Sequence, residues 1–138
     1  MLETLQQMGQ GFVNALTWIN LLAMAGGVAL GIVIGCLPGL SAAMGVALML
    51  PLTFTMPADT GLIVLGAIYC GAIFGGSISA ILIHTPGTPA SAATAIEGYQ
   101  MTLQGKAGKA LATACWSSFW GGLLSCISLY FFAPALAQ

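Results

Sequence analysis

Apolar residues fall in long blocks along this chain, and the interruptions between the blocks are short. Trp18 to Leu37 carries no charge and, at about 1.5 Å per residue, is long enough to cross a bilayer with Trp18 as an interfacial anchor. Gly61 to Ile83 forms a second uncharged span, and residues 110–133 form a third with Ser117, Gly121 and Ser125 on one face. Ahead of the first span, residues 1–17 set Leu2, Leu5, Met8, Phe12, Val13 and Leu16 at roughly helical spacing among polar positions, which predicts a helix lying in the membrane interface. A cleaved signal peptide would need a basic start, and this segment offers Glu3 instead.

Two breaks punctuate the blocks. In residues 38–52 the pair Pro38-Gly39 stops the first span and Ser41 can cap a new helix. Ser41 to Leu50 is then only about 15 Å of helix before Pro51, against a hydrocarbon core of roughly 30 Å. A half-helix is predicted, a form that persists at membrane depth where its freed backbone groups are buried in protein or line a cavity. A plain proline kink is the simpler alternative. Thr53 to Thr60 reads as an exposed loop.

The second break, residues 84–109, opens with Pro86-Gly87-Thr88-Pro89. Neither proline has an N–H, and each pushes its predecessor away from helical ψ, so no α-helix continues through it. Thr88 stands at an N-cap and Pro89 at the first helical position of a helix predicted over Ala90 to Gln104. The free N–H groups and positive dipole end of such a helix suit an anion. Two further patterns fall inside the spans. Gly27, Gly31, Gly35 and Gly39 recur every four residues and leave one helix face bare for close packing. Ser77 and Ser79 are the polar groups nearest the middle of the second span, weak candidates for holding a coupling ion, since membrane serines more often bond a carbonyl one turn back.

Composition sharpens the class. Charged residues make up 4% of the 138, and net charge is −1, while mean hydropathy is +1.01. These values belong to an integral membrane protein. The expectation is a single all-α transmembrane domain over residues 1–138, polytopic, with about three full transmembrane helices plus a broken half-helix. Lys and Arg number 2, too few to neutralise nucleic-acid phosphates. Both are lysines in residues 84–109, which predicts that this loop stays in the cytoplasm. Cys36, Cys70, Cys115 and Cys126 lie apart without a C-x-x-C pair and read as small membrane residues, with no metal site expected. A catalytic set is missing as well: there is one His, no H-E-x-x-H and no nucleophile beside a base, so no enzyme is expected.

The stretches GCLPGLSAAMGVALMLPLTF (Gly35 to Phe54) and AIYCGAIFGGSISAILIHTPGTPASAATAIEGYQMTLQGKAGKAL (Ala67 to Leu111) closely resemble, in order and spacing, the large membrane subunit of the tripartite tricarboxylate transporters, the TctA family. The resemblance implies a multi-pass protein of the bacterial inner membrane that takes up a carboxylate by symport with Na⁺ or H⁺, with no other cofactor. It implies as partners a small membrane subunit, a periplasmic solute-binding protein, membrane lipid and the remainder of the large subunit, of which this chain looks like the opening quarter to third. Family members repeat their first half in their second, so the chain would be one part of an inverted-repeat transporter, whose sites form where repeats meet. The candidate substrate-binding residues are Pro38, Gly39, Leu40 and Ser41 in one motif and Thr85, Pro86, Gly87, Thr88 and Pro89 in the other. His84 stands where the family usually has Asn, and Glu97 where it usually has Asp. A truncated, non-transporting remnant and a small helical assembly subunit are the alternatives to a transport role.

Overall fold

The computed structural model describes residues 2–136, with side chains for residues 9–130 and 132; Met1 lies outside. Six α-helices and one 3-10 turn are found among the described residues: α1 (Leu2–Ala15), α2 (Trp18–Cys36), α3 (Ala42–Thr53), α4 (Ala58–Ile83), a 3-10 turn (Pro89–Ser91), α5 (Ala92–Leu103) and α6 (Ala107–Leu136). Three of them, Trp18–Cys36, Ala58–Ile83 and Ala107–Tyr130, are long and apolar enough to cross a membrane, and Ala42–Thr53 is a shorter apolar helix. The all-α polytopic architecture is as the hydrophobic pattern predicts.

Helix α4 is the pillar on which α2, α3, α5 and α6 all pack. Its union with α2 is built from backbone. Cβ atoms added at Gly27, Gly31 and Gly35 would meet Val64 and Ala67, Ile68 and Ala72, and Ala72 in turn, while Cβ atoms at Gly71 and Gly75 would run into Val28 and Ile32. The register advances in the same direction on both helices, so α2 and α4 are parallel, and each supplies glycines that admit the other's main chain. Bulky side chains contribute little: the buried apolar residues are mostly alanines, with Ile68 and Ile81 the largest that are fully enclosed. In lipid, where apolar side chains gain nothing by leaving one apolar medium for another, such backbone-to-backbone van der Waals contact is what holds helices together.

Gly39, the fourth glycine of the predicted stripe, has open space around it and belongs to the turn after α2. Helix α3 also departs from expectation, since it passes through Pro51 and ends at Thr53. Proline this close to the end removes one helical hydrogen bond, and the Thr53 hydroxyl, donating to the Leu50 carbonyl at 2.7 Å, satisfies an acceptor of the last turn. Thr53 is buried and Ala58 already begins α4, so the loop expected over Thr53 to Thr60 shrinks to a few residues. Helix α5 starts at Ala92, after the 3-10 turn that takes the first residues of the helix predicted from Ala90. Phe12 and Val13 on α1 and Leu16 just after it are exposed; the side chains of Leu2, Leu5 and Met8 lie outside the described ones.

At the far end of the pair, buried Asn20 ties α1, α2 and α4 together. Its amide donates to the Asn14 carbonyl at 2.8 Å, its carbonyl accepts from Thr60 at 2.8 Å, and Asn14 donates to the Asp59 carboxylate at 2.7 Å. Both the amide nitrogen and the carbonyl oxygen of this buried side chain are therefore matched.

Candidate functional site

The two sequence breaks meet at the opposite end, where α4 outruns α2. The first break is a turn over Leu37 to Leu40, closed by the Leu40 N–H donating to the Leu37 carbonyl at 3.3 Å. Leu37 is extended because it precedes proline. Pro38 occupies the second turn position and Gly39, at φ +93°, the third, which is the pattern of a type II turn. Ser41 then caps α3 as predicted, its Oγ accepting from the Met44 N–H at 3.2 Å. The structure gives the Ser41 hydroxyl no acceptor among the described residues, so its proton can be donated elsewhere.

The second break begins where His84 ends α4 in the left-handed conformation, φ 56°. Asn and His are among the non-glycine residues that accept this region, which accounts physically for either at this position. The His84 ring lies 4.7 Å from that of Tyr99, and its Nδ1–H donates to the Ala95 carbonyl at 3.2 Å. From Thr85 the chain doubles back along α4. The three residue steps from His84 to Gly87 reach about 10 Å, close to the roughly 12 Å of helix between Gly76 and His84. Gly87 thus arrives beside Gly76, its N–H donating to the Gly76 carbonyl at 3.5 Å.

The two Pro-Gly pairs use glycine for opposite reasons. Gly39 needs a positive φ and has nothing within 4 Å of an added Cβ. Gly87 has no positive φ, yet its Cβ would overlap the Gly35 carbonyl and come within 3.0 Å of Gly76 Cα and 3.1 Å of Ser79 Oγ. Close approach of backbones, which sequence reasoning assigned to Gly39, operates at Gly87 instead.

Thr88 is buried against Gly76. Its N–H donates to Ser91 Oγ at 3.3 Å, its hydroxyl to the same oxygen at 3.4 Å, and the Ser91 hydroxyl donates to the Thr88 carbonyl at 2.7 Å. Thr88 precedes the 3-10 turn and not α5 itself, whose first residue follows Ser91, and its hydroxyl donates within the loop. Ser79, buried beside Gly87, donates to the Gly76 carbonyl at 3.0 Å. Ser77 is half-buried with no side-chain hydrogen bond among the described residues, and it is not brought to the loop. Pro38, Gly39, Pro86 and Pro89 are exposed around the junction, with Leu40, Ser41 and Thr85 half-buried; the Thr85 hydroxyl donates to the Ile83 carbonyl at 3.2 Å.

Three participants escaped sequence reasoning. Cys36 donates its thiol to the Gly75 carbonyl at 3.3 Å, joining the end of α2 to α4. Ser91 completes the Thr88 turn, and its position three residues after a capping threonine was the available signal. Thr102 donates to the Ile81 carbonyl at 2.7 Å, satisfying one of the last acceptors of α4 from α5. Together these contacts make a closed junction of backbone carbonyls and small hydroxyls whose exposed rim is the Pro38-Gly39 turn and Pro86, with Ser41 half-buried after the turn. Among the described residues no three His, Cys, Asp or Glu side chains come together.

Comparison with known proteins gives two matches. The family profile described as Tripartite tricarboxylate transporter TctA family matches residues 21–138. A protein of Agrobacterium vitis, described as an uncharacterized 52.8 kDa protein in the TAR-I ttuC' 3' region, is 46% identical over 138 residues, which is 100% of this chain and 28% of that relative. No solved structure matches the chain.

Proposed function

The chain belongs to the tripartite tricarboxylate transporter TctA family, and from that premise we propose that it is the first portion of the large permease subunit of a secondary active, binding-protein-dependent carboxylate transporter of the bacterial inner membrane. It works in this reading with a small membrane subunit, a periplasmic solute-binding protein and the remainder of the large subunit, and it is not an enzyme. The observation that carries the reading is Ser41. It begins a helix of 12 residues, about 18 Å and so well short of the hydrocarbon core. It sits beside an exposed Pro-Gly turn, and its hydroxyl proton is uncommitted while its lone pair caps the helix. A carboxylate oxygen there receives the Ser41 O–H together with the positive end of α3. Thr88, whose hydroxyl is engaged with Ser91, serves the loop's shape.

The coupling ion in this reading is Na⁺ in preference to H⁺. Asp59 stands in the first turn of α4, at the end away from the junction, and is held by Asn14. What the junction offers is carbonyls and hydroxyls, the ligands of a hard cation and poor proton carriers.

Uptake by the complete transporter tests the site, with rates normalised to inserted permease. Ser41→Ala is expected to raise the KM for the carboxylate by about tenfold, the worth of a hydrogen bond to a charged ligand, and Ser41→Thr to restore it. A KM within threefold of the parent for Ser41→Ala would remove Ser41 from the binding site.

A further inference from the structure

A groove of about 610 Å³ runs between α5 and α6, lined by Met101 of α5 and by Lys109, Thr113, Trp116, Ser117 and Trp120 of α6. On α6, positions 109, 113, 116 and 120 share one face. Trp116 lies about 10 Å and Trp120 about 16 Å along the helix from Lys109. Both indoles are exposed, at 64% and 55%, and the Phe119 ring meets each edge-on at 6.2 and 5.7 Å. The groove therefore has a cationic mouth where α6 begins and an aromatic floor at acyl-chain depth.

We infer that this groove binds an anionic phospholipid, the phosphate on Lys109 and an acyl chain along Trp116 and Trp120. Charge complementarity selects the occupant. Lys106 and Lys109 are the chain's 2 basic residues, both are exposed, and neither is ion-paired among the described residues. Glu97, exposed on α5 one turn before Met101, leaves this end with a net positive charge. Thr113 donates its hydroxyl to the Lys109 carbonyl at 2.9 Å, so it does not compete for the headgroup. A zwitterionic lipid would meet the same aromatic floor but gain less at the mouth, because its ammonium is repelled by the lysines.

The test uses the purified protein carrying Trp18→Phe, so that Trp116 and Trp120 are the reporters, in phosphatidylcholine vesicles containing a minor fraction of lipid brominated on its acyl chains. Brominated phosphatidylglycerol is expected to quench with about fivefold greater apparent affinity than brominated phosphatidylcholine, the effect of one well-placed lysine. Lys109→Gln should bring the two lipids level. Equal quenching by both lipids before the substitution overturns the inference, as does a preference that survives Lys109→Gln. Quenching by neither lipid means that protein covers the groove, which overturns it too.

Discussion

Gly39 and Gly87 share a Pro-Gly dipeptide and would be indistinguishable in a motif, yet their environments predict different responses to the same change. Alanine at Gly39 meets open space and has only the left-handed backbone to contend with, costing about 1 to 2 kcal/mol. Alanine at Gly87 collides with the Gly35 carbonyl and the Gly76 backbone, neither of which can yield without parting α2 from α4. Gly39→Ala should therefore insert and fold with slightly reduced thermal stability, while Gly87→Ala should lose most folded protein, measured by size-exclusion monodispersity and melting of the detergent-solubilised protein. Comparable stability of the two variants would show that the loop does not seat against α2 as described. Thr102 carries a related lesson, because its hydroxyl pins α5 to the Ile81 carbonyl across 21 positions of the chain.

Helix elements associate here through what they lack. Gly31 admits the backbone of Ile68 and Ala72, whereas Gly66, on the same pillar α4, has nothing within 4 Å of an added Cβ. Substituting alanine at each separates packing from propensity. Gly66→Ala is expected to be neutral or to stabilise by about 0.5 to 1 kcal/mol, the intrinsic helical gain. Gly31→Ala should destabilise by about 1 to 3 kcal/mol through overpacking against backbone. Denaturation in mixed micelles reads both, and a stabilised Gly31→Ala would refute the α2–α4 register. The same two helices each run into a Pro-Gly turn that leads to a helix of 12 residues. Because α2 and α4 are parallel, the two breaks fall at one end of the molecule, where Gly35 and Gly87 touch.

Across the whole molecule, polarity is divided between two ends. The Asn14, Asn20, Asp59 and Thr60 network holds one end and carries a carboxylate. The other carries Lys106 and Lys109 beside the junction of the breaks. Short basic loops stay inside, so the end bearing the lysines is expected to face the cytoplasm. A cysteine placed at exposed Gln104, in a background without the native cysteines, should resist a membrane-impermeant maleimide in intact cells and react once the membrane is opened. Labelling in intact cells would invert the orientation, and with it the leaflet in which the groove of α5 and α6 meets anionic lipid.

Hydrophobic block length and the positions of proline, glycine and hydroxyl residues were enough to read three spans, a capped half-helix after Pro38-Gly39, and a break at Pro86 to Pro89. These are local properties: span length derives from rise per residue, and a cap or a turn is set by a few neighbouring residues. Which hydroxyl remains free to meet a ligand was not legible, because Ser41 and Thr88 look equivalent until Ser91 and Gly76 are seen to enclose one of them. The parallel register of α2 and α4, the seating of Gly87 on Gly35, and the role of Thr102 at the end of α4 depend on residues 21 to 52 positions apart in the chain. Only the tertiary structure decides such contacts, since a glycine records that something comes close without recording what.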